Sequence, residues 1–216
     1  MGGTVNVESL ARWIRTFARD IAANQDLLTR LDSAIGDADH GVNMNRGFEA
    51  VVAALDKHRP SNIAVLLRDV VATTLLNTVG GAAGVLYATF FLRIAVAAGQ
   101  ERSLDDLAFA KALRAGLEEV AQRGKVAAGD KTMFDALAPA VEALEGALAG
   151  GAGLSAALRR ATVAADAGRD ATAPMLARKG RASYLGQRSI GHQDPGAASA
   201  ALLIAAAATA LGEASG

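Results

Sequence analysis

Apolar residues recur with helical spacing along most of the chain. Near the start, six of them are separated by intervals of three or four, which predicts an amphipathic first helix: Val7, Leu10, Trp13, Ile14, Phe17 and Ile21. No convincing run alternates between apolar and polar residues with the two-residue period of a strand. The pattern therefore predicts an all-α protein.

Seven further helices are predicted between breaks at glycine, proline and polar clusters. They cover residues 44–57, 62–78, 82–98, a stretch opened by a capping box at Ser103 and Asp106, 131–148, 154–175, and a last helix ending near Leu211. The connections are mostly short, so sequential helices should pack antiparallel. We expect residues 1–216 to form a single helical domain, an antiparallel bundle of about eight helices or a closed helical barrel.

Composition excludes several classes of function. The 22 lysines and arginines balance the 22 aspartates and glutamates, so no overall charge favours nucleic acid or an anionic membrane. The absence of cysteine excludes disulfides and thiolate chemistry. The amino terminus has no basic start followed by an apolar stretch, so we expect no signal peptide and a cytoplasmic location.

Two uncharged stretches are long enough to cross a membrane, Val70–Leu92 and residues 195–212. The first carries Gly80 and Gly81 in its middle, and the second is mostly alanine. Buried helices of a soluble all-α protein explain both stretches better than membrane spans do.

Residues 31–43 carry the most informative chemistry of the chain. Three carboxylates lie within eight residues there: Asp32, Asp37 and Asp39. Carboxylates this close repel one another unless a cation or hydrogen-bond donors compensate, and Mg²⁺ prefers oxygen ligands while leaving positions open for phosphate. The segment predicts a cation that holds phosphate, with a solvated acidic turn as the alternative. An EF-hand register starting at Asp37 fails, because its twelfth residue would be Phe48 rather than glutamate.

Two glycine-containing segments are candidate anion sites. Residues 80–84 would bring backbone amides at a helix start close to a ligand, although small residues also serve close helix crossings. Residues 124–132 resemble a P-loop, but Asp130 stands where the lysine belongs and no strand precedes it. That segment could bind phosphate or base through its backbone and Thr132, or it could be a helix start capped by Asp130.

Two further segments complete the candidate site. Residues 178–189 carry four cations, and arginine pairs bidentately with phosphate, although a solvated surface loop is the alternative. Asp194 directly precedes Pro195, an arrangement typical of a capped helix start.

Together these segments resemble the nucleotide-binding L subunit of the dihydroxyacetone kinases, which also occurs as the carboxy-terminal domain of single-chain ATP-dependent dihydroxyacetone kinases. The resemblance covers essentially the whole chain and is most specific at residues 36–41, 129–133 and 177–197. It implies an eight-helix barrel with a nucleotide pocket at one end. It also implies two Mg²⁺ ions on Asp32, Asp37 and Asp39 that grip the phosphates of ADP or ATP.

The resemblance also implies which residues surround the nucleotide. They are His40, Gly41, Val42, Asn43, Ala82, Ala83, Gly124, Met133, Arg181, Asp194, Pro195 and Gly196. Thr132 joins them through the chemistry of its own loop. Arg181 would act catalytically as a fixed cation beside the transferred phosphoryl group, and Met133 would contact the base. The family usually has glycine at the position of Ala38 and serine at that of Ala83, so loop conformation and one phosphate contact are in question.

The implied activity is that of a kinase subunit that needs a partner. It would present a phosphoryl group to dihydroxyacetone held covalently on a separate K subunit, with ADP as a resident coenzyme recharged by a phosphoenolpyruvate-dependent phosphocarrier. The alternatives are exchange of ADP for ATP from solution, another ketose such as erythrulose, and a nucleotide-loaded module that regulates a partner. The sequence leaves a homodimer open.

Overall fold

The computed structural model describes residues 4–212, so residues 1–3 and 213–216 of the predicted single domain lie outside the described part. Helices dominate it, which confirms the all-α prediction. They are α1 (Val7–Ala23), α2 (Gln25–Ile35), α3 (His40–Lys57), α4 (Thr73–Thr78), α5 (Gly81–Ala98), α6 (Asp106–Gly124), α7 (Phe134–Ala149), α8 (Leu154–Ala171) and α9 (Pro195–Gly212). A π-helix (Val65–Ala72) runs directly into α4, and a 3₁₀ segment (Arg181–Ser189) precedes α9.

Eight of the helices close a ring. α1 contacts α3, and each later helix then contacts the next through α4, with its π-helix, to α9. α9 contacts α1 and so completes the circuit. The closed helical barrel predicted from the sequence is therefore the observed arrangement.

The remaining helix, α2, corrects the prediction made from the sequence. The sequence pattern predicts a loop rather than a helix at Gln25–Ile35, because Asp32 and the nearby glycines disfavour a regular helix. Leu28, Asp32 and Ile35 are nevertheless buried at helical spacing, so tertiary packing supplies an inner face for this short helix. α2 contacts α3, α9 and the 3₁₀ segment, which places it beside the barrel end that carries the acidic residues.

Aromatic side chains and the alanine-rich α9 fill the barrel interior. Trp13 packs edge-to-face against Phe91 and Phe109, with ring centroids 5.9 and 6.1 Å apart. Its indole Nε1–H donates to the Leu203 carbonyl of α9 at 2.9 Å, so the one polar atom of this ring is paired. α9 contacts α1, α2, α7 and α8 and carries few large side chains, which lets the other helices approach it closely.

Two helices, α5 and α9, are apolar and long enough to cross a membrane by length and composition alone. The apolar window of α9 is 67% buried among its neighbours, and that of α5 is 44% buried. A core helix of a barrel passes the same test, so the packing of α9 accounts for its composition.

Several predicted boundaries shift for local reasons. α6 is capped by Asp105, whose Oδ1 accepts from the Ala108 N–H at 2.7 Å, and not by Ser103. Ser103 instead lies in β2 (Ser103–Asp105), which pairs antiparallel with β1 (Thr4–Asn6); strands of three residues are too short to show a period. α3 begins four residues earlier than predicted, at His40, and α7 begins later than predicted, at Phe134.

Candidate functional site

A cavity of about 510 Å³ lies where the ends of several barrel helices meet. Its wall combines the acidic segment, the start of α5, the loop between α6 and α7, the 3₁₀ segment and the start of α9. Its volume falls within the roughly 300–1,000 Å³ of small-molecule sites. The segments that the sequence analysis singled out therefore meet at one place.

The three acidic residues converge in this cavity. One carboxylate oxygen from each of Asp32, Asp37 and Asp39 lies within 4.8 Å of the others. Burial, together with the charges of Asp37 and Asp32, raises the pKa of Asp39 above its ordinary value. A divalent cation would relieve this repulsion, and an all-carboxylate set fits a hard ion such as Mg²⁺.

A break between two helices presents these carboxylates. α2 ends at Ile35 and α3 begins at His40. Asp32 Oδ2 accepts from the backbone N–H groups of Asp39 and His40, at 2.8 and 3.1 Å, and so caps α3. Ala38, between α2 and α3, has a φ of 62°, which lies in the left-handed region that favours glycine. The loop therefore adopts a backbone conformation that favours glycine, although the residue at this position is alanine.

Arg181 joins the 3₁₀ segment to the acidic cluster. Its Nη2 lies 3.0 Å from Asp37 Oδ2, with the arginine side chain 66% exposed. Such a pair adds little to stability but places a cation beside the carboxylates. Of the other cations in the basic loop, Lys179 also lines the cavity, whereas Arg178 and Arg188 are exposed outside its wall.

The start of α5 contributes backbone amides. Gly80, Gly81, Ala82 and Ala83 line the cavity, and no side chain caps this helix. Free amides and the positive end of a helix dipole suit a negatively charged group. Gly84 serves the alternative predicted for this segment, close packing, because a Cβ at Gly84 would overlap the Val79 carbonyl.

Apolar side chains form another part of the wall. They are Ile35, Val85, Leu86, Val126 and Met133. Gly124 and Thr132 lie in the same loop region. A wall of this kind, next to a charged cluster, fits a ligand with a flat apolar part and an anionic part.

The loop before α7 is not capped as predicted. Asp130 Oδ2 accepts from the Ala127 N–H at 2.9 Å, inside the loop. Asp135 supplies the bonds expected of Asp130, because its carboxylate accepts from the N–H groups of Gly129 and Thr132, at 2.5 and 2.8 Å. Reaching back from the first turn of α7, Asp135 fixes the loop that carries Thr132 and Met133.

Lys131 is a cavity residue that the sequence analysis did not assign. The side chain is 1% exposed, and its ammonium donates to the carbonyls of Ser189 and His192 at 2.7 and 2.5 Å. The carbonyls of Ala173 and Met175 are also within reach, at 3.4 and 3.1 Å. Burial lowers its pKa, against the opposing charge of Asp194. Lys131 therefore ties the segment before α9 to the loop before α7.

Asp194 caps α9 as predicted, since its Oδ2 accepts from the Ala197 N–H at 2.7 Å. Burial raises the pKa of Asp194 to about 7, and the charge of Asp135 adds to the rise while the Ala197 N–H and Lys131 oppose it. Pro195 and Gly196 line the cavity beside it.

His40 lines the cavity at the start of α3 and is 9% exposed. Burial lowers its pKa to about 4, against the opposing charge of Asp32. Its Nε2 lies 2.9 Å from Ser199 Oγ of α9, and the Tyr87 hydroxyl of α5 donates to the same oxygen at 2.8 Å. The buried Ser199 and Tyr87 carry no motif, so no sequence signal could identify them.

Two predicted nucleotide contacts do not reach the cavity wall. Gly41 faces α2, where a Cβ would overlap the Gln25 carbonyl and Thr29, and this indicates close helix packing at Gly41. Val42 is 46% exposed on the outer side of α3. The other predicted residues, including Asn43, all line the cavity.

The chain matches a known protein family over most of its length. The DAK2 domain matches residues 34–209 of the chain, which is most of its length. The match includes every cavity segment except the part of α2 that carries Asp32.

Two relatives are similar over nearly their whole length. The chain is 44% identical over 190 residues to the ADP-binding subunit DhaL of the PEP-dependent dihydroxyacetone kinase of Escherichia coli K12, covering 88% of this chain and 90% of that one. It is 37% identical over 199 residues to the ADP-binding subunit of the PTS-dependent dihydroxyacetone kinase of Lactococcus lactis, covering 92% and 95%.

A solved structure shares the fold. The dihydroxyacetone kinase of C. freundii, in complex with AMP-PNP and Mg²⁺, superimposes with a TM-score of 0.71 at 24% identity. The superposition covers 97% of this chain and 35% of that one.

Proposed function

The chain belongs to the DAK2-domain family, and from this premise we propose that it is the ADP-binding subunit of a phosphoenolpyruvate-dependent dihydroxyacetone kinase, a phosphotransferase. The observation that carries the proposal is the joint placement of three carboxylates, Arg181 and the free amides of α5 around one cavity. Such a set suits a metal-bound polyphosphate better than it suits a neutral metabolite.

The nucleotide has a definite orientation in this proposal. The phosphates lie between the acidic cluster and the start of α5, where Ala82 and Ala83 offer backbone N–H groups. The base lies against Met133 and the apolar wall, with Gly124 allowing close approach. Asp194, Pro195 and Gly196 border the nucleotide at the start of α9.

Asp32, Asp37 and Asp39 hold Mg²⁺ in this arrangement, and we propose two ions. When bound, Mg²⁺ would neutralise charge on the phosphate oxygens. Asp32 also caps α3, so its carboxylate is oriented before any ion arrives. Arg181 is held close by Asp37 and directs its cation to the transferred phosphoryl group.

Partner proteins complete the reaction. In this proposal the chain delivers the phosphoryl group to dihydroxyacetone held on a separate K subunit, as expected of a subunit similar to the ADP-binding subunits of dihydroxyacetone kinases. The similarity to PEP- and PTS-dependent ADP-binding subunits supports a phosphocarrier that recharges resident ADP. We propose a cytoplasmic location for the assembly.

The test is native mass spectrometry of the purified chain before and after EDTA. We expect ADP with two Mg²⁺ ions to survive desalting and to be lost with the chelator. A chain that fills only when ATP and Mg²⁺ are added would instead indicate exchange from solution. A chain that binds nucleotide under neither condition would refute the proposal.

Asp37→Ala sharpens the test. Loss of one metal ligand should weaken Mg²⁺-dependent ADP binding by about 100-fold or more, since loss of outer-shell groups alone costs 10–100-fold. Helical content should stay unchanged, because Asp37 lies outside the helices. Asp166→Ala is the matched control, since Asp166 also pairs with an arginine, Arg169, but lies outside the cavity. Full retention of ADP by Asp37→Ala would remove the acidic cluster from the site.

A further inference from the structure

His40, Ser199 and Tyr87 form a hydrogen-bonded group between the cavity and the barrel interior. Ser199 Oγ lies at its centre, 2.9 Å from His40 Nε2, 2.8 Å from the Tyr87 hydroxyl and 3.0 Å from the Gly196 carbonyl. Ser199 is fully buried and Tyr87 is 1% exposed, so neither of them can exchange these partners for bulk water.

The number of available protons determines which group donates in each of these hydrogen bonds. The Gly196 carbonyl can only accept, so it takes the single proton of Ser199. The Tyr87 hydroxyl supplies its own proton to Ser199 Oγ. The third contact is then a hydrogen bond only if His40 Nε2 carries a proton. Any other assignment leaves two lone pairs facing each other inside the protein.

The other ring nitrogen of His40 follows from this assignment. With the proton on Nε2, Nδ1 carries a lone pair. Within residues 4–212, Nδ1 has no hydrogen-bond partner, and it is not among the fully buried unpaired atoms of that range. His40 is also a lining residue of the cavity, so the cavity is where a partner for this lone pair can be sought.

We propose that Ser199 is a positioning residue that holds His40 as the Nε2–H tautomer, so that Nδ1 accepts a hydrogen bond from an O–H donor in the cavity. A phosphate oxygen only accepts, so it is not the partner. The donor is a ribose hydroxyl or a metal-bound water, and the position of His40 directly after Asp39 is compatible with either. The inference rests on the proposed nucleotide site, although the tautomer itself does not require a ligand.

The first measurement is the tautomer of His40 in the ligand-free protein. ¹⁵N-histidine labelling with two-bond nitrogen–proton couplings distinguishes the two tautomers, and the His40 signals are assigned by their loss in His40→Gln. We expect the Nε2–H form in the wild type and a shift toward a mixture in Ser199→Ala. A wild-type His40 with its proton on Nδ1 would overturn the proposal.

The second measurement separates positioning from simple stability. Ser199→Ala removes the acceptor of His40, whereas Tyr87→Phe removes one bond from the same group and leaves that acceptor in place. Both should lower the melting temperature. Only Ser199→Ala should weaken the binding of Mg²⁺–ADP in calorimetry, by about twofold for an even mixture of tautomers and by at most about tenfold, which is the complete loss of one ordinary hydrogen bond. Equal weakening by both variants would make the group merely structural and overturn the proposal.

Ligand variants identify the donor. If it is a ribose hydroxyl, 2′-deoxy-ADP or 3′-deoxy-ADP should bind wild type and Ser199→Ala equally. If it is a metal-bound water, the difference between wild type and Ser199→Ala should persist with both deoxynucleotides. A wild-type chain that shows the Nε2–H tautomer but binds no Mg²⁺–ADP would refute the proposed function and leave the tautomer assignment standing.

Discussion

Ala38→Gly should stabilise the protein although Ala38 makes no contact that glycine would improve. Ala38 is exposed and has φ of 62°, a conformation that costs a residue with a Cβ about 1–2 kcal/mol. Glycine avoids that cost but loses about 0.4–1 kcal/mol through the greater freedom of the unfolded chain. The difference is a gain of about 1 kcal/mol, or about 2–4 °C in melting temperature for a domain of this size.

The control is Ala34→Gly, four residues earlier. Ala34 is also exposed, but it lies inside α2 with helical geometry. The same chemical change should therefore destabilise by about 1 kcal/mol. The assay is urea unfolding followed by circular dichroism, with both variants compared with the wild type. If Ala38→Gly lowers the free energy of unfolding as Ala34→Gly does, the strain attributed to the acidic loop is absent.

Two further predictions concern packing and pH. Gly41→Ala should lower the free energy of unfolding in urea by about 2–3 kcal/mol, because its Cβ would overlap the Gln25 carbonyl. The control is Gly146→Ala in α7, where a Cβ meets nothing within 4 Å, and this change should raise the free energy of unfolding by about 0.5–1 kcal/mol. A Gly41→Ala variant as stable as the wild type would contradict the close approach of α2 and α3. The pKa of Asp194 is raised to about 7 in the folded state, so the folded state keeps a proton that the unfolded state releases above about pH 4. This group therefore lowers the free energy of unfolding as pH rises from about 4 to 7. Asp194→Asn should remove that loss, and its unfolding free energy in EDTA should rise relative to the wild type by up to about 1.4 kcal/mol per pH unit in this window. A pH-independent difference between the two proteins would show that Asp194 is ionised throughout.

The family, and the segments that meet at the cavity, could be predicted from sequence because they depend on local features. Three aspartates within eight residues, a glycine-rich helix start and a cationic loop each predict an anion or cation site from residue type and spacing alone. The first helix was equally predictable, since its apolar stripe from Val7 to Ile21 is continuous. The DAK2 match confirms the family that these segments indicated.

Other features depend on contacts between distant parts of the chain. α2 exists as a helix because its buried face packs against α3 and α9, which overrides the local preference for a loop. The close packing of Gly41 against α2 depends on the same kind of contact.

The sequence by itself determined that this is an all-α protein with three closely spaced aspartates, a glycine-rich helix start and a cationic loop. Only the tertiary structure decided that Lys131 is buried on four carbonyls, that Asp135 and not Asp130 fixes the loop before α7, and that Ser199 meets His40. The physical reason is that spacing along a chain specifies which side chains share one helix face or one loop. Hydrogen bonds between residues more than a hundred positions apart, such as His40 and Ser199, depend on how α1 and α2, each in contact with both α3 and α9, hold the start of α3 near α9.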